Sequence, residues 1–186
     1  SAKVNIKTRV ENETGVSASI TLVNKIINAK GVEVAKTSSK QNINANSEYE
    51  FNHDAIVKSP KLWSTENPEL YKAITEVYVD GKLTDHVETK FGIRKISFDA
   101  VNGFMLNNKP MKLKGGCFHI DNGPLGARSF DRAEIRRVAL MKASGFNAIR
   151  CSHNPPAPAF LEACDSLGML VIDEAFDCWT EGKNAD

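Results

Sequence analysis

The spacing of apolar residues changes near residue 94, and this change constrains the fold more than any other feature of the sequence. Before that point apolar and polar residues alternate in successive segments, as in Val4, Ile6 and Val10 and then Val16, Ala18, Ile20 and Leu22. A period of two turns one face of a strand towards a core and the other towards water. Residues 1–94 are therefore predicted to form antiparallel strands with one wet face.

Turn-forming residues divide this half into about six or seven short strands. "ENETG", "NAKG", "NANS" and "VDGK" separate the apolar segments, and Asp80-Gly81 is a two-residue hairpin signal. Such strands, with no convincing helix among them, indicate an antiparallel sandwich of roughly 90 residues. Catalytic residue types do not gather here. His53 and His86 have polar neighbours and are predicted to be exposed surface histidines.

Residues 95–186 begin with a predicted hairpin and a predicted helix. "GFMLNNKPMKLKGG" indicates a hairpin that turns at Asn107-Asn108, followed by a strand that ends near Cys117. The segment "SFDRAEIRRVALMKASG" predicts a helix that ends before Gly145. Asp131 and Glu134 have the spacing of a capping box at its start. The apolar stripe of this helix is predicted to consist of Ile135, Val138 and Met141.

The order of the following segments predicts parallel βα units. "FNAIRCS" is typical of a strand, "PAPAFLEACDSLG" of a helix that ends at Gly168, and "MLVIDEA" of a third strand. Short links between alternating strands and helices favour a parallel sheet, whose strands are buried on both faces.

Polar residues follow the three predicted parallel strands, at the edge where α/β proteins carry their functional sites. These residues are Cys117-Phe118-His119, Arg150-Cys151-Ser152-His153 and Asp173-Glu174. We therefore predict a functional site at this edge.

Composition limits the expected binding partners but does not indicate a cellular compartment. The formal net charge is +1 and the basic residues are dispersed, so neither nucleic acid nor a membrane surface is an expected partner. No apolar run approaches the roughly 20 residues of a membrane span, and no leader sequence is evident at Ser1. The four cysteines form no CxxC pair and neither require nor exclude an oxidising compartment.

Several chemistries are compatible with the strand ends. Glycoside hydrolysis commonly needs two carboxyl groups, but Asp173 and Glu174 are neighbours and are expected to point to opposite faces. No second carboxylate at another strand end is available before Glu181. A zinc site could use Cys117, His119, Cys151 and His153, although this spacing is unlike the usual zinc motifs.

Two other chemistries have weaker support. Cys151 with His153 matches no recognised nucleophile motif. "GGCFHIDNGPLG" is rich in glycine but lacks the spacing of known phosphate-binding loops. Tight turns explain these glycines equally well.

Five segments carry a resemblance to a known family. They are "LWSTENPELY" (62–71), "FGIRKI" (91–96), "FMLNNKPMKLKGGCFHIDNGPLGA" (104–127), "GFNAIRCSHNPP" (145–156) and "FLEACDSLGMLVIDEAFDCW" (160–179). In this order they resemble family 2 glycoside hydrolases, bacterial β-galactosidases above all. The resemblance implies an immunoglobulin-like sandwich over residues 1–94 and the first βα units of an incomplete (β/α)8 TIM barrel over residues 95–186.

The resemblance also implies an incomplete site. Family members are retaining glycosidases with a glutamate acid/base and a glutamate nucleophile, and neither of their motifs is present here. We expect both glutamates further along a longer parent enzyme, so that this segment contains no catalytic residue and is inactive alone. The expected substrate is a β-galactoside. A β-glucuronide or a β-mannoside is the alternative, and the parent could be bacterial periplasmic, secreted or cytoplasmic.

Residue roles follow from the same resemblance. Arg150 matches an arginine that supports the carboxylate of the nucleophile, and His153 matches a histidine that contacts the sugar hydroxyls. His119 matches a histidine of the same subsite. Asp173 and Glu174 match an acidic pair after the third strand, one of which is expected to support the site by hydrogen bonding.

Departures from the family pattern concern the subsite and the metal. Ile120 stands where many relatives have a second histidine. Cys178 and Thr180 occupy the places of the Glu-x-His magnesium ligands of some β-galactosidases. We therefore expect no metal and no cofactor in this segment.

A non-catalytic role is the remaining alternative. The chain could act as a sandwich or interaction module, and the incomplete barrel could make it self-associate. Trp63 is predicted to pack in the interior and not to serve as a carbohydrate platform.

Overall fold

The computed structural model describes residues 1–177 and divides the chain into two compact units. One consists of residues 1–61 and 69–93, and the other of residues 62–68 with the chain from residue 94 onwards. We keep 1–94 and 95–186 as proposed domain boundaries. The predictions that concern Cys178, Trp179, Thr180 and Glu181 lie outside the described residues.

The first unit is an antiparallel sandwich of two unequal sheets. Its strands are β1 (Ala2–Asn12), β2 (Ala18–Ile27), β3 (Glu33–Ile43), β4 (Ser47–Val57), β5 (Leu70–Val79) and β6 (Lys82–Gly92). One sheet pairs β1 with β4, and the other has the order β3-β2-β5-β6. The predicted sandwich is confirmed, although each strand has 10 or 11 residues and is longer than predicted.

Every second side chain along the strands points inward, and these side chains form the core between the sheets. Its buried residues fall into two clusters, Ile20, Leu22, Ile43 and Phe51, and Ile26, Ala55, Val57, Tyr71 and Ala73. The hairpin between β5 and β6 turns at Asp80-Gly81, where φ is 49° and 78°. Positive φ at both positions matches the type I′ turn that this pair favours, as predicted.

His53 corrects the sequence analysis because it lies inside the sandwich. The residue is 9% exposed. Nδ1 lies 2.9 Å from Asn24 Nδ2 and 3.2 Å from Thr37 Oγ1, and Nε2 lies 2.7 Å from Ser39 Oγ. Burial is tolerated because these hydrogen bonds replace water. His86 is exposed, as predicted.

From residue 94 onwards, the first elements of the second unit form a small antiparallel sheet of β7 (Ile96–Asp99), β8 (Gly103–Leu106) and β9 (Lys109–Pro110). Asn107 and Asn108 form the predicted turn, with φ of 54° and 63°. The Asn107 amide donates to the Trp63 carbonyl at 3.0 Å. Trp63 is 2% exposed, and its indole N–H donates to the Asp165 carbonyl at 2.7 Å. This confirms that Trp63 packs in the interior.

A parallel sheet with two helices follows. The elements are β10 (Gly115–Phe118), α1 (Asp131–Ala143), β11 (Ala148–Cys151), α2 (Pro158–Leu167) and β12 (Leu170–Ile172). The strands pair in the order β10-β11-β12 and are parallel, as predicted. Val138, Ile149, Phe160 and Met169 bury the face between sheet and helices. Within residues 1–177 no helix is long and apolar enough to cross a membrane.

The start of α1 differs from the predicted capping box. Phe130 is the N-cap residue, without a side-chain cap, and Asp131 is already helical. Glu134 is 3% exposed, and its carboxylate accepts hydrogen bonds from loop side chains. The predicted apolar stripe is wrong at Ile135, which is 48% exposed, whereas Val138 is buried and Met141 packs against the core.

The end of α2 follows the sequence prediction. Gly168 is the C-cap residue in the left-handed conformation, with φ of 78°. A β-carbon there would come within 2.4 Å of the Thr65 carbonyl oxygen. Glycine is thus required both for the backbone conformation and for this close approach.

Candidate active site

The register of the parallel sheet brings the candidate residues together. Cys117 of β10 pairs with Arg150 of β11, which pairs with Ile172 of β12. Paired residues of parallel strands share a face, and these three are exposed, whereas Ile149 and Cys151 on the other face pack beneath the helices. Arg150 therefore projects from the face opposite the helices.

Glu174 connects Arg150 with His153. One carboxylate oxygen, Oε1, accepts from Arg150 Nε at 2.5 Å and also contacts Arg150 Nη2. The other oxygen, Oε2, lies 2.8 Å from His153 Nδ1. Because an ionised carboxylate only accepts hydrogen bonds, Nδ1 must carry the hydrogen in this contact. Glu174 thus fixes the orientation of both basic side chains.

The electrostatics of this cluster favour an ionised carboxylate. Desolvation raises the pKa of Glu174, but hydrogen bonds from His153 and Arg150 outweigh it and hold the pKa below its usual value. The pKa of the Arg150 guanidinium is raised by its hydrogen bonds to Cys117 and Glu174. The cluster therefore places the positively charged Arg150 guanidinium beside His153, whose Nδ1 carries a hydrogen.

His119 lies at the edge of the same cluster. Its ring centroid is 5.7 Å from that of His153, in an edge-to-face arrangement. The His119 carbonyl accepts from Arg137 Nη2 at 2.6 Å. His119 is exposed, so its ring is open to solvent in this chain.

Arg137 is a supporting residue that the sequence analysis missed. Its guanidinium carbon lies 3.8 Å from the ring centroid of Phe118, and Nη1 forms a 3.3 Å ion pair with Glu134. Glu134 also accepts from Asn122 and Ser129, both at 3.1 Å. The i,i+3 spacing of Glu134 and Arg137 was visible in the sequence. Together the pair ties α1 to the loop that follows β10 and carries His119.

The acidic residues after β12 differ in their contacts. Asp173 is exposed and, within residues 1–177, makes none of the contacts of Glu174. Asp177 was not predicted, but its Oδ1 lies 3.6 Å from His153 Nδ1. Its signal in the sequence was its position three residues after Glu174. One member of the predicted acidic pair therefore lies in the cluster, together with a third carboxylate.

The cysteines do not support the zinc and nucleophile hypotheses. Within residues 1–177 no group of three or more His, Cys, Asp or Glu side chains is placed to hold a metal. Burial, and then the charges of Asp173 and Glu174, raise the pKa of Cys151 to about 11, so its thiol is a poor nucleophile. The hydrogen bond from Arg150 Nη1 lowers the pKa of the exposed Cys117 thiol.

Comparison with known proteins identifies the family. The family model described as "Glycosyl hydrolases family 2" matches residues 1–94, and "Glycosyl hydrolases family 2, TIM barrel domain" matches residues 99–182. The chain belongs to glycoside hydrolase family 2. Its parallel sheet is accordingly the start of the family's TIM barrel, and its first unit is the family's immunoglobulin-like sandwich.

Relatives of this chain within the family include proteins named as a beta-galactosidase and as a beta-glucuronidase. Beta-galactosidase BoGH2A from Bacteroides ovatus is 41% identical over 184 residues, which cover 99% of this chain and 22% of that protein. A family 2 member from Bacteroides cellulosilyticus is 46% identical with a TM-score of 0.92, and the match covers 98% of this chain and 24% of that one. Bacteroides uniformis beta-glucuronidase is 34% identical with a TM-score of 0.90, covering 94% and 21%.

The chain thus spans less than a quarter of the length of each of these relatives.

Proposed function

We propose that this chain forms one wall of the sugar site of a retaining β-glycosidase, and that the parent is a β-galactosidase. The observation that carries the proposal is the Glu174 bridge between Arg150 and His153 at the carboxyl ends of β11 and β12. Barrel enzymes place their chemistry at this end of the strands. The 41% identity to beta-galactosidase BoGH2A favours galactose. The likeness to a beta-glucuronidase makes glucuronic acid the first alternative, and mannose the second.

In this proposal Arg150 supports the nucleophile. Glu174 engages its Nε and Nη2, and a guanidinium has five N–H donors in a rigid fork. The remaining hydrogens on Nη1 and Nη2 suit a second carboxylate, that of a nucleophile supplied by a later barrel strand. Opposite charge beside that carboxylate keeps it ionised, as nucleophilic attack requires.

The two histidines bind the sugar in this proposal. His153 donates its Nδ1 hydrogen to Glu174, so Nε2 is the ring nitrogen that hydrogen-bonds a sugar hydroxyl in this proposal. His119, 5.7 Å away between ring centroids, is proposed to line the same sugar subsite. Asp173 is proposed only as a rim residue, since it is exposed.

We also propose that the 186-residue chain has no glycosidase activity on its own. Retention needs two carboxyl groups about 5–5.5 Å apart. Glu174 is engaged by Arg150 and His153, and its lowered pKa is opposite to what a general acid needs. The acid/base and the nucleophile are therefore proposed to come from the rest of the parent.

The isolated chain is proposed to self-associate. Within the described residues β10 and β12 each have one unpaired edge. Ile172, Leu140 and Ile135 are each about half exposed. Unpaired strand edges and exposed apolar faces favour association. Light scattering that finds a monodisperse monomer over a wide concentration range would contradict this.

The substrate is tested by assaying the parent with nitrophenyl β-galactoside, β-glucuronide and β-mannoside. The highest kcat/KM is expected for the β-galactoside, and proton NMR of the first product is expected to show the β-anomer. A preference for either other sugar would replace galactose. Initial release of the α-anomer would contradict the retaining mechanism.

A further inference from the structure

Asparagine followed by glycine is a chemically labile pair, and the chain contains it twice. The pairs are Asn102-Gly103 and Asn122-Gly123. Asparagine is among the thermolabile residues, and glycine has no β-carbon, so its backbone nitrogen can closely approach the side-chain amide of the residue before it. Attack of this nitrogen on the amide carbon closes a five-membered ring. The two pairs differ in how firmly the fold holds the reacting groups.

Asn102-Gly103 lies in the turn between β7 and β8. Both residues are exposed, and Gly103 has φ of 68°. Among residues 1–177, no heavy atom apart from those of its chain neighbours lies within 4 Å of the place that a β-carbon on Gly103 would take. The side-chain amide of Asn102 donates a hydrogen bond to Asp99 Oδ2 at 3.1 Å. Because Asp99 is exposed as well, water competes for this bond and the amide is weakly held.

Asn122-Gly123 is held at both reacting groups. Asn122 Nδ2 donates to the Arg128 carbonyl at 3.2 Å and to Glu134 Oε1 at 3.1 Å. The N–H of Gly123, which is the attacking group, donates to Asp121 Oδ1 at 2.9 Å. Glu134 is 3% exposed, so water competes little for the Asn122 amide. Ring closure at this pair must first break these hydrogen bonds.

We propose that Asn102 is a site of spontaneous deamidation and that the fold protects Asn122 from the same reaction. The Gly103 nitrogen forms a bond to Asn102 Cγ and loses its proton to water, while the side-chain nitrogen leaves as ammonia. Water then opens the cyclic imide at either of its two carbonyl carbons. The product is an aspartate at position 102, or an isoaspartate whose main chain runs through the side-chain carbon. Water is the co-reactant and no group is oxidised or reduced. The proposal is independent of the proposed sugar site.

Either product changes the contacts of this turn. Hydrogen bonds from the backbone and side chain of Asn102 hold the pKa of Asp99 below its usual value, so Asp99 is ionised near neutral pH. An aspartate at position 102 replaces the amide donor by a second carboxylate, which only accepts hydrogen bonds. An isoaspartate adds one atom to the main chain where Asp99 pairs with Gly103. Both changes are expected to loosen the hairpin of β7 and β8.

Peptide mass mapping of the 186-residue chain, aged in mildly alkaline heavy-oxygen water, tests the proposal. Each conversion of Asn102 adds one heavy oxygen to its peptide and releases one ammonia. In the folded chain Asn102 is expected to convert roughly tenfold or more faster than Asn122, because two hydrogen bonds of ordinary strength to the Asn122 amide must break. In urea, where the fold holds neither pair, the two rates are expected to be similar.

Asn102→Gln is the matched control. It keeps an amide donor beside Asp99 but lengthens the side chain by one carbon, so that attack by Gly103 would have to close a six-membered ring. Its peptide is expected to gain no heavy oxygen over the same period. An Asn102 that stays unconverted in the folded chain but converts in urea would overturn the proposal. Equal rates at Asn102 and Asn122 in the folded chain would overturn the protection of Asn122.

Hydrogen exchange of residues 96–106 measures the consequence for the hairpin. Exchange is expected to rise in step with the conversion of Asn102, because amides of a loosened hairpin open more often. In the Asn102→Gln chain, exchange is expected to stay constant during ageing. Exchange that stays constant while Asn102 converts would contradict the loosening of β7 and β8.

Discussion

Replacing His53 tests whether the sandwich depends on a polar cluster in its interior. His53→Ala removes the ring that Asn24, Thr37 and Ser39 contact. Asn24 is fully buried, so its amide loses a hydrogen-bond partner in the interior of the sandwich. Thr37 and Ser39 are less buried and can be rehydrated.

The expected cost follows from these contacts. An orphaned buried polar group costs about 1–3 kcal/mol, and the space left by the ring adds to this, for a total of about 2–4 kcal/mol. With a urea m-value of about 1.5 kcal/mol/M for a unit of this size, the midpoint falls by roughly 1–3 M.

The assay is urea unfolding of the 186-residue chain, followed by hydrogen exchange of the β2 and β4 peptides. His86→Ala is the control, since His86 is exposed on the same unit and is expected to shift the midpoint by less than about 0.3 M. Asn24→Ala combined with His53→Ala should cost less than the sum of the two single changes. Equal midpoints for the two histidine variants, or strict additivity with Asn24→Ala, would refute the reasoning.

Three further predictions concern the barrel half. Brief alkylation near neutral pH is expected to modify Cys117 before the buried cysteines of β11 and α2, because Cys117 is exposed and its pKa is lowered by the hydrogen bond from Arg150. Peptide mass mapping that finds equal labelling would contradict this. Arg137→Met leaves the buried Glu134 carboxylate without its cation and is expected to lower the free energy of unfolding by about 3 kcal/mol. The double variant Arg137→Met with Glu134→Gln should recover part of this loss. A double variant no more stable than Arg137→Met alone would contradict the prediction. Glu174→Gln in the parent is expected to lower kcat/KM roughly 10²-fold, because Arg150 and His153 lose the carboxylate that orients them. Glu162→Gln on the exposed surface of α2 should leave kcat/KM unchanged. Equal kcat/KM values for the two variants would show that Glu174 is not part of the site.

Local signals predicted much of the fold. Asp80-Gly81 and Asn107-Asn108 form the predicted turns. Such turns need positive φ at both central residues, and Asn, Asp and Gly adopt positive φ more readily than other residues. Gly168 likewise ends α2 in the left-handed conformation. The parallel order of β10, β11 and β12 followed from the alternation of strands with helices.

Two errors came from giving sequence neighbours more weight than the residues on the same face. His53 follows Asn52 and precedes Asp54, which suggested exposure, but residues two apart share its face, and Phe51 and Ala55 are buried. The alternation of β4 was therefore the better signal. Glu134 had the spacing of a helix cap, yet its partners Asn122 and Ser129 come from the preceding loop. Nothing in the local sequence specified those contacts.

The candidate site was predictable in outline only. The sequence located polar residues at three strand ends, and the fold brings Arg150, His153 and Glu174 into contact there. Which of the two acidic neighbours would make the contact depended on the path of the chain after β12, which periodicity does not specify. Asp177 was missed for the same reason.

The most direct test of the account is hydrolysis of the parent's preferred nitrophenyl β-glycoside by the purified 186-residue chain, assayed beside the parent at equal molar concentration. We predict turnover by the parent and none by the chain, because we propose that the two catalytic glutamates come from the rest of the parent and that the chain contributes only the arginine, the histidines and their carboxylate support. Turnover by the chain would contradict this and would mean that it contains a catalytic pair, with Asp173 and Glu174 the first residues to replace.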